Sequence, residues 1–333
     1  MKVVALGGGH GLYASLSALR LLDTEITAVV TVADDGGSSG RIRRELDVLP
    51  PGDLRMALAA LSTSTFAPAG SDSRISWATV LQHRLGGTGA LAGHPIGNLL
   101  LTGLMELHAD SVLALDELAR LVGAHGRVLP MSRQPLDLIA EVASVDSDDP
   151  VRLRRIRGQS AIAATAGRVT SIRLIPPDPS ACPEAVEAIL AADLVILGPG
   201  SWFTSVIPHL LVPGLANALT RTAATRVIIL NLEPQVGETD DFSPEEHLRA
   251  LREHCPRLRV DVVIADSESV LDPVGLRRYT HSVDARLVLA PVAASDEPAR
   301  HDPGMLSIAV ADAAGLTLND GDAAMPRRGT TLA

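Results

Sequence analysis

Lysine is almost missing from this chain of 333 residues, where Lys2 stands alone. A GxxxxGK[ST] phosphate loop needs a lysine after its glycines and a Schiff-base enzyme needs one in its pocket, so both chemistries are excluded. Aromatic residues amount to only 2%, too few to build stacking platforms for single-stranded nucleic acid. The formal charge of −10 acts in the same direction, because an acidic surface repels a polyphosphate backbone instead of displacing its counterions. Bulk nucleic-acid binding is therefore not expected. Cysteine is scarce as well: Cys182 and Cys255 form neither a CxxC pair nor the crowded pattern of a secreted disulfide scaffold, which points to a reducing compartment. No apolar run reaches the roughly 18 residues of a membrane span. The start, Met1-Lys2, leads straight into an apolar strand with no room for a signal peptide, and the expectation is a cytoplasmic protein without a membrane span. The ten histidines form no HExxH motif, no serine stands in a GxSxG elbow, and His247 and His254 read as surface or core histidines.

What is present is apolar and glycine-punctuated. A hydrophobic share of 46% suffices for a large core, and we expect a single α/β domain over 1–318 with an antiparallel insertion near 134–176 and a flexible tail over 319–333. Val3-Val4-Ala5-Leu6 predicts a buried strand. Gly7-Gly8-Gly9-His10-Gly11 closes it, and leucines 12, 16, 19 and 22 follow at helical spacing. A second strand over Ile26–Val32 completes a β-α-β unit, which requires a covered parallel sheet. A helix is expected over Arg55–Leu61, and helical periodicity returns over 93–126. From Leu136 to Ile175 apolar and polar residues nearly alternate, the sign of a small antiparallel annex. Asp193–Gly198 restores the buried-strand pattern and ends in Gly198-Pro199-Gly200-Ser201, with a helix start expected near Thr204. Further strands are expected over 227–230, 260–264 and 286–289. Ser243-Pro244-Glu245-Glu246 announces a helix with a capping box.

In an open α/β sheet, ligands sit beyond the carboxyl ends of the strands. Loops 7–11, 33–41 and 198–204 all fall at such ends. Glycines let the backbone approach a ligand, and free amides at a helix start attract an anion, so phosphate is the expected guest. Each helix dipole contributes about 0.3–1 kcal/mol and each charge-assisted hydrogen bond about 1.5–3 kcal/mol, enough for two turns to fix a diphosphate. NAD is a weaker fit, because Leu12 occupies the place where the dinucleotide fingerprint has glycine or alanine. The candidate ligand residues are Gly8, Gly9, His10 and Gly11 in the first turn and Asp34, Asp35, Gly36, Gly37, Ser38 and Ser39 in the second. Asp53, Arg55 and Asn98 follow, with Gly198, Gly200, Ser201 and Thr204 in the third. Asp34 and Asp35 can accept ribose hydroxyls or hold a divalent cation, with Mg2+ the candidate cofactor. Asp53 and Asn98 each read equally as a helix N-cap or a ligand contact. Of Arg41, Arg43, Arg44 and Arg55, one or two are expected to grip phosphate and the others to pair with Glu45 or Asp47.

Six stretches carry a resemblance to a known family: GGGHGL (7–12), VTVADDGGSSGRIR (30–43), PPGDLR (50–55), GHPIGNLLL (93–101), LGPGSWFTSVIPHLLVPG (197–214) and GETDDFSPEEHL (237–248). Together with Arg300-His301-Asp302 they resemble the CofD-like family, and closely its YvcK branch, the gluconeogenesis factors. That resemblance implies a Rossmann-like three-layer fold with a parallel sheet. It also implies binding of a UDP-sugar such as UDP-N-acetylglucosamine by a cytoplasmic regulatory protein linked to cell shape, envelope synthesis and carbon metabolism, with a homodimer as the family expectation. It adds Arg300 to the ligand contacts. The wider family includes a 2-phospho-L-lactate transferase acting on a nucleotide diphosphate donor, so the alternative reading is an Mg-dependent enzyme of that kind; an NAD-dependent oxidoreductase is a third and weaker one. Two positions depart from relatives: His10 stands where threonine is common, and Met56 where asparagine is.

Overall fold

The computed structural model describes residues 1–66, 75–143, 153–165, 167–235, 237–240, 242–297 and 299–316. The chain opens with β1 (Lys2–Gly7), α1 (Gly9–Leu19) and β2 (Glu25–Val30), followed by α2 (Gly37–Leu46) and α3 (Pro51–Leu61). A two-residue hairpin, β3 (Thr65–Phe66) and β4 (Ile75–Ser76), leads to α4 (Trp77–Gln82), α5 (Ile96–His108), α6 (Ser111–Leu121) and β5 (Arg127–Pro130). The annex is β6 (Asp137–Ala143), β7 (Leu153–Arg157), α7 (Gln159–Ala163) and β8 (Arg168–Ile175). The second half holds α8 (Pro183–Leu190), β9 (Leu194–Leu197), α9 (Pro213–Arg221), β10 (Thr225–Ile229), α10 (Pro244–His254), β11 (Val262–Asp266), α11 (Pro273–Ser282), β12 (Arg286–Ala290) and α12 (Pro303–Ala313).

Seven strands form one parallel sheet in the order β12-β11-β10-β9-β1-β2-β5. The chain builds outward from β1 through β2 to β5, then returns to lay β9 on the other side of β1 and builds outward again. Because parallel crossovers are right-handed, this reversal puts the helices of the two halves on opposite faces and makes three layers. Val3, Val4, Ala5 and Leu6 on β1 and all four residues of β9 are buried, as strands covered on both faces require. The annex pairs antiparallel as β7-β6-β8. On β6 it buries Leu138, Ala140 and Val142 while the intervening residues stay half-exposed. Its span agrees with the alternation read from the sequence. Among the described residues no single helix is long and apolar enough to cross a membrane.

Three local expectations are corrected. GSSGRIRREL forms helix α2 instead of a loop, burying Ser38, Ser39, Gly40 and Ile42; its glycines and serines sit at the start of the helix, where poor interior propensity costs little. Helix α3 begins at Pro51 rather than Arg55, because proline suits the first helical position. The helix expected near Thr204 is a π-type turn over Trp202–Val206 and a 3-10 turn over Ile207–Leu211, and the regular helix waits until Pro213. Pro208 has no N–H to donate to a preceding carbonyl, which keeps an α-helix from running through. The capping box at Ser243 forms as read, with Ser243 accepting from the Glu246 amide and Glu246 accepting from the Ser243 amide. Residues 319–333, read as a tail, lie outside the described residues.

Candidate functional site

The reversal point lies between β1 and β9, and their glycine turns touch beyond it. A Cβ on Gly11 would fall 2.1 Å from the Pro199 carbonyl oxygen and 2.5 Å from Gly200 Cα, so the approach requires glycine at 11, while glycine at 200 is required by its φ of +134°. The two turns thus share one rim, as the sequence predicts, but they are not equivalent. The Gly200 amide donates to Asn231 Oδ1 at 2.8 Å, and Asn231 Nδ2 returns a bond to the Gly200 carbonyl at 2.9 Å. The Trp202 and Phe203 amides donate to Gln235 and Glu238. Ser201 and Thr204 both donate to Glu238 through their hydroxyls. Glu238 is 3% exposed, and burial pushes its carboxyl up. Amides expected to cradle phosphate at the third turn are therefore spent on the protein, because Asn231, Gln235 and Glu238 supply the acceptors instead. Sequence reasoning missed these three; Glu238 lies within a quoted motif, but a single loop acid gives no sign of what it caps.

Three further helix starts lie on the other side of the rim. Among described helices of eight residues or more, α1, α2 and α5 alone start with neither a capping side chain nor a proline in the first turn. Their N-caps are Gly8, Gly36 and Pro95 and that of α3 is Pro50, so neither Asp53 nor Asn98 is an N-cap residue, although Asp53 takes the Gly9 amide at the start of α1. All three starts meet at the first turns of α2 and α3. Gly8 packs on Thr31 and Asp53, Gly52 packs on Ser39 and Asp34, and Asn98 Nδ2 donates to Ser38 Oγ at 3.0 Å. His10 is exposed on the first turn of α1. At α5 the Ile96 amide goes to the His83 carbonyl and the Asn98 amide to the Pro95 carbonyl, and at α1 the Gly9 amide goes to Asp53. The start of α2 and the rest of the first turn of α1 are therefore what offer N–H groups and a positive dipole end to an anion.

The acids divide between two tasks. Asp35 Oδ1 accepts from the Ser160 amide at 2.9 Å and its Oδ2 abuts Gly158, so this side chain ties α7 of the annex to the rim. Asp34 Oδ1 accepts from the Gly36 amide at 2.9 Å, and burial holds its carboxyl above the usual aspartate range. Asp53 is buried, and its pKa is raised to about 7, first by burial and then by the charge of Asp34, with a hydrogen bond from the Gly9 amide opposing. Its Oδ2 has no partner. The adjacent pair Asp34 and Asp35 thus engages different elements, though the Asp35 charge also helps to raise Asp34, while the Asp34 charge in turn raises Asp53 across the mouth. Among the described residues no three His, Cys, Asp or Glu side chains form a metal-holding group.

Arg55 is the most telling cation. It is 5% exposed, its Nε–H is buried without a partner, and its guanidinium forms no ion pair among the described residues. Burial, with Arg84, lowers its affinity for a proton, and the charges of Asp53 and Asp34 oppose that. Of the other three candidate arginines, Arg44 is exposed, and Arg41 and Arg43 are occupied. Arg41 donates to the Ala92 carbonyl, and Arg43 bonds the Leu136 carbonyl and pairs with Asp137 at 2.7 Å, joining α2 to the annex instead of pairing with Glu45 or Asp47. Arg300 is exposed and pairs with Asp296 and Glu297 on its own loop. Its neighbour His301 is buried with Nε2 unpartnered, a residue the sequence reading quoted but gave no role.

The family model described as 2-phospho-L-lactate transferase CofD matches residues 3–304, which takes in every element of this rim and the annex. The chain belongs to the CofD family. Within that family it is 58% identical over 308 residues to a "Putative gluconeogenesis factor" of Mycobacterium tuberculosis (strain CDC 1551 / Oshkosh), covering 92% of this chain and 88% of that protein. It is 39% identical over 269 residues to a "Gluconeogenesis factor" of Listeria monocytogenes, covering 81% and 78%. The crystal structure of a UPF0052 family protein from Bacillus halodurans superposes with a TM-score of 0.80 at 34% identity, covering 92% of this chain and 97% of that one. The CofD-family chain described here is thus a member of the gluconeogenesis factor group, and its seven-stranded sheet and annex are those of that fold.

Proposed function

We propose that the rim binds a nucleotide sugar of the UDP-N-acetylglucosamine type, and that the protein is a cytoplasmic regulator reading the level of that metabolite for cell shape, envelope synthesis and carbon metabolism. The observation that carries the anionic part of this reading is Arg55, a buried guanidinium without an ion pair among the described residues, on the helix against which the starts of α1 and α2 pack. A buried cation costs several kcal/mol unless paired, and a phosphate supplies the missing partner through the two terminal nitrogens of the guanidinium, leaving Nε–H for another group. Uridine and the acetamido sugar come from the family resemblance and not from the turns. Calorimetric titration with UDP-N-acetylglucosamine, NAD and guanosine diphosphate, with and without magnesium, tests the reading. Selective UDP-sugar binding without turnover supports it; preference for NAD, or no binding to any of the three, removes it.

A transferase is the second reading, favoured by the Asp34–Asp53 pair. Mg2+ is commonly held by one or two carboxylates together with substrate phosphates. Asp53 Oδ2, buried and unpartnered beside a second carboxyl, fits a cation that would quench their repulsion. Bound there, the ion would neutralise charge on a leaving diphosphate. Magnesium-dependent consumption of the nucleotide in the same titration would select this reading over the sensor. A homodimer is proposed from the family alone.

A further inference from the structure

Two buried polar atoms on neighbouring helices lack a partner: the Arg55 Nε–H on α3 and Asn98 Oδ1 on α5. Asn98 is 1% exposed. The helices meet at Gly97, where a Cβ would lie 2.8 Å from Arg55 Cγ and 2.8 Å from the Leu81 carbonyl oxygen, so the arginine stem is pressed against α5. An unmet buried donor or acceptor costs about 1–3 kcal/mol, and folds rarely retain two together without a use.

The orientation of the Asn98 amide is set from behind. Asn98 Nδ2 donates to Ser38 Oγ at 3.0 Å, and Ser38 lies 2.7 Å from His94 Nδ1. If the Ser38 hydroxyl gives its single proton to Nδ1 of a neutral imidazole protonated on Nε2, its oxygen can only accept from Asn98, which fixes the amide. Burial and the Arg41 guanidinium hold His94 below the usual histidine range, with Glu45 opposing, in keeping with the neutral form. The opposite tautomer would free the Ser38 proton, which could then bond Asn98 Oδ1, and the amide would no longer be held one way.

We propose that Arg55 Nε–H and Asn98 Oδ1 form a subsite for one ring hydroxyl of the nucleotide sugar, and that Ser38 and His94 are positioning residues that keep the acceptor side of Asn98 toward it. A hydroxyl accepts one hydrogen bond and donates another from the same atom. A phosphate oxygen would oppose Asn98 Oδ1 with lone pairs, and an ammonium would offer Arg55 nothing. The subsite rests on the nucleotide-sugar reading and adds which chemical group is read; ribose and hexose hydroxyls share that chemistry.

Calorimetry with UDP-N-acetylglucosamine and its single-deoxy analogues on either ring separates the sources. One analogue is expected to bind wild type at least tenfold more weakly than its parent. Asn98→Leu should lose about as much for the parent and almost nothing further for that analogue. His94→Phe should weaken the parent severalfold, and His94→Gln, whose amide oxygen can take the Ser38 proton, should recover most of it. On unmodified protein, nitrogen-15 NMR of His94 should show the proton on Nε2. If wild type binds no member of the series, the nucleotide-sugar reading falls and the subsite with it. If the parent binds but no deoxy analogue is weakened, or Asn98→Leu is additive with all of them, the subsite alone is overturned; a proton on Nδ1 overturns the positioning role of His94.

Discussion

Gly11 and Pro199 are in backbone contact across the reversal point of the sheet, with no room for a single Cβ between them. The contact locks the start of α1 to the end of β9, and the mouth forms only if both turns keep this spacing. Gly11→Ala should therefore push the turns apart. Overpacking of this kind costs about 1–3 kcal/mol, which a urea titration will register as a lower midpoint with little change in slope. A nucleotide-sugar affinity that falls together with stability marks the contact as the frame of the site.

Arg55 separates function from stability in the opposite sense. Replacing a poorly paired buried charge with an apolar residue of similar length is often neutral or stabilising. Arg55→Met is expected to leave the melting temperature unchanged or raised while weakening UDP-N-acetylglucosamine by tenfold or more, about 1.4 kcal/mol. A melting temperature that drops in proportion to binding would instead make Arg55 a structural residue of α3.

The parts of this protein legible in its sequence are those governed by short-range patterns. Continuous apolar runs announced β1, β9 and β10, alternation announced the annex, and the Ser-Pro-Glu-Glu string announced the start of α10 with its capping box. Glycine turns at strand ends located the rim. The sequence could not show which amides the fold would consume, because Asn231 and Glu238 reach Gly200 and Phe203 from more than thirty residues away. Nor could it separate Asp34 from Asp35. Adjacent residues look equivalent in one dimension, yet here one faces the mouth and the other holds Ser160, 125 residues distant.

That separation is testable. Asp35→Asn should leave nucleotide-sugar affinity within about twofold, equivalent to roughly 0.4 kcal/mol, while loosening the start of α7. Faster amide hydrogen exchange over residues 159–163 reports the loosening. Asp34→Asn should show the reverse: unchanged exchange in α7, and altered affinity wherever magnesium accompanies the ligand. Equal effects of the two substitutions on binding would return Asp35 to the site.

The buried acid and the buried histidines pull the stability profile in opposite directions. Asp53 carries a folded pKa of about 7 against an ordinary 3.8. Between those values the folded state binds more protons than the unfolded one, so stability falls as pH rises from about 4 to about 7, by an amount on the order of a few kcal/mol. His209 and His301, held near 4 chiefly by burial, work the other way: stability is lost as pH falls from about 6.5 toward 4, where the unfolded chain takes up protons that the folded one refuses. In Asp53→Asn the first slope disappears and the second remains. Urea unfolding at pH 5, 6 and 8 should then find the variant gaining on wild type as pH increases, with the largest gain at pH 8. A constant difference at all three values would mean that Asp53 is already ionised at pH 5, which would remove both the strain at the mouth and the case for a cation beside Asp34.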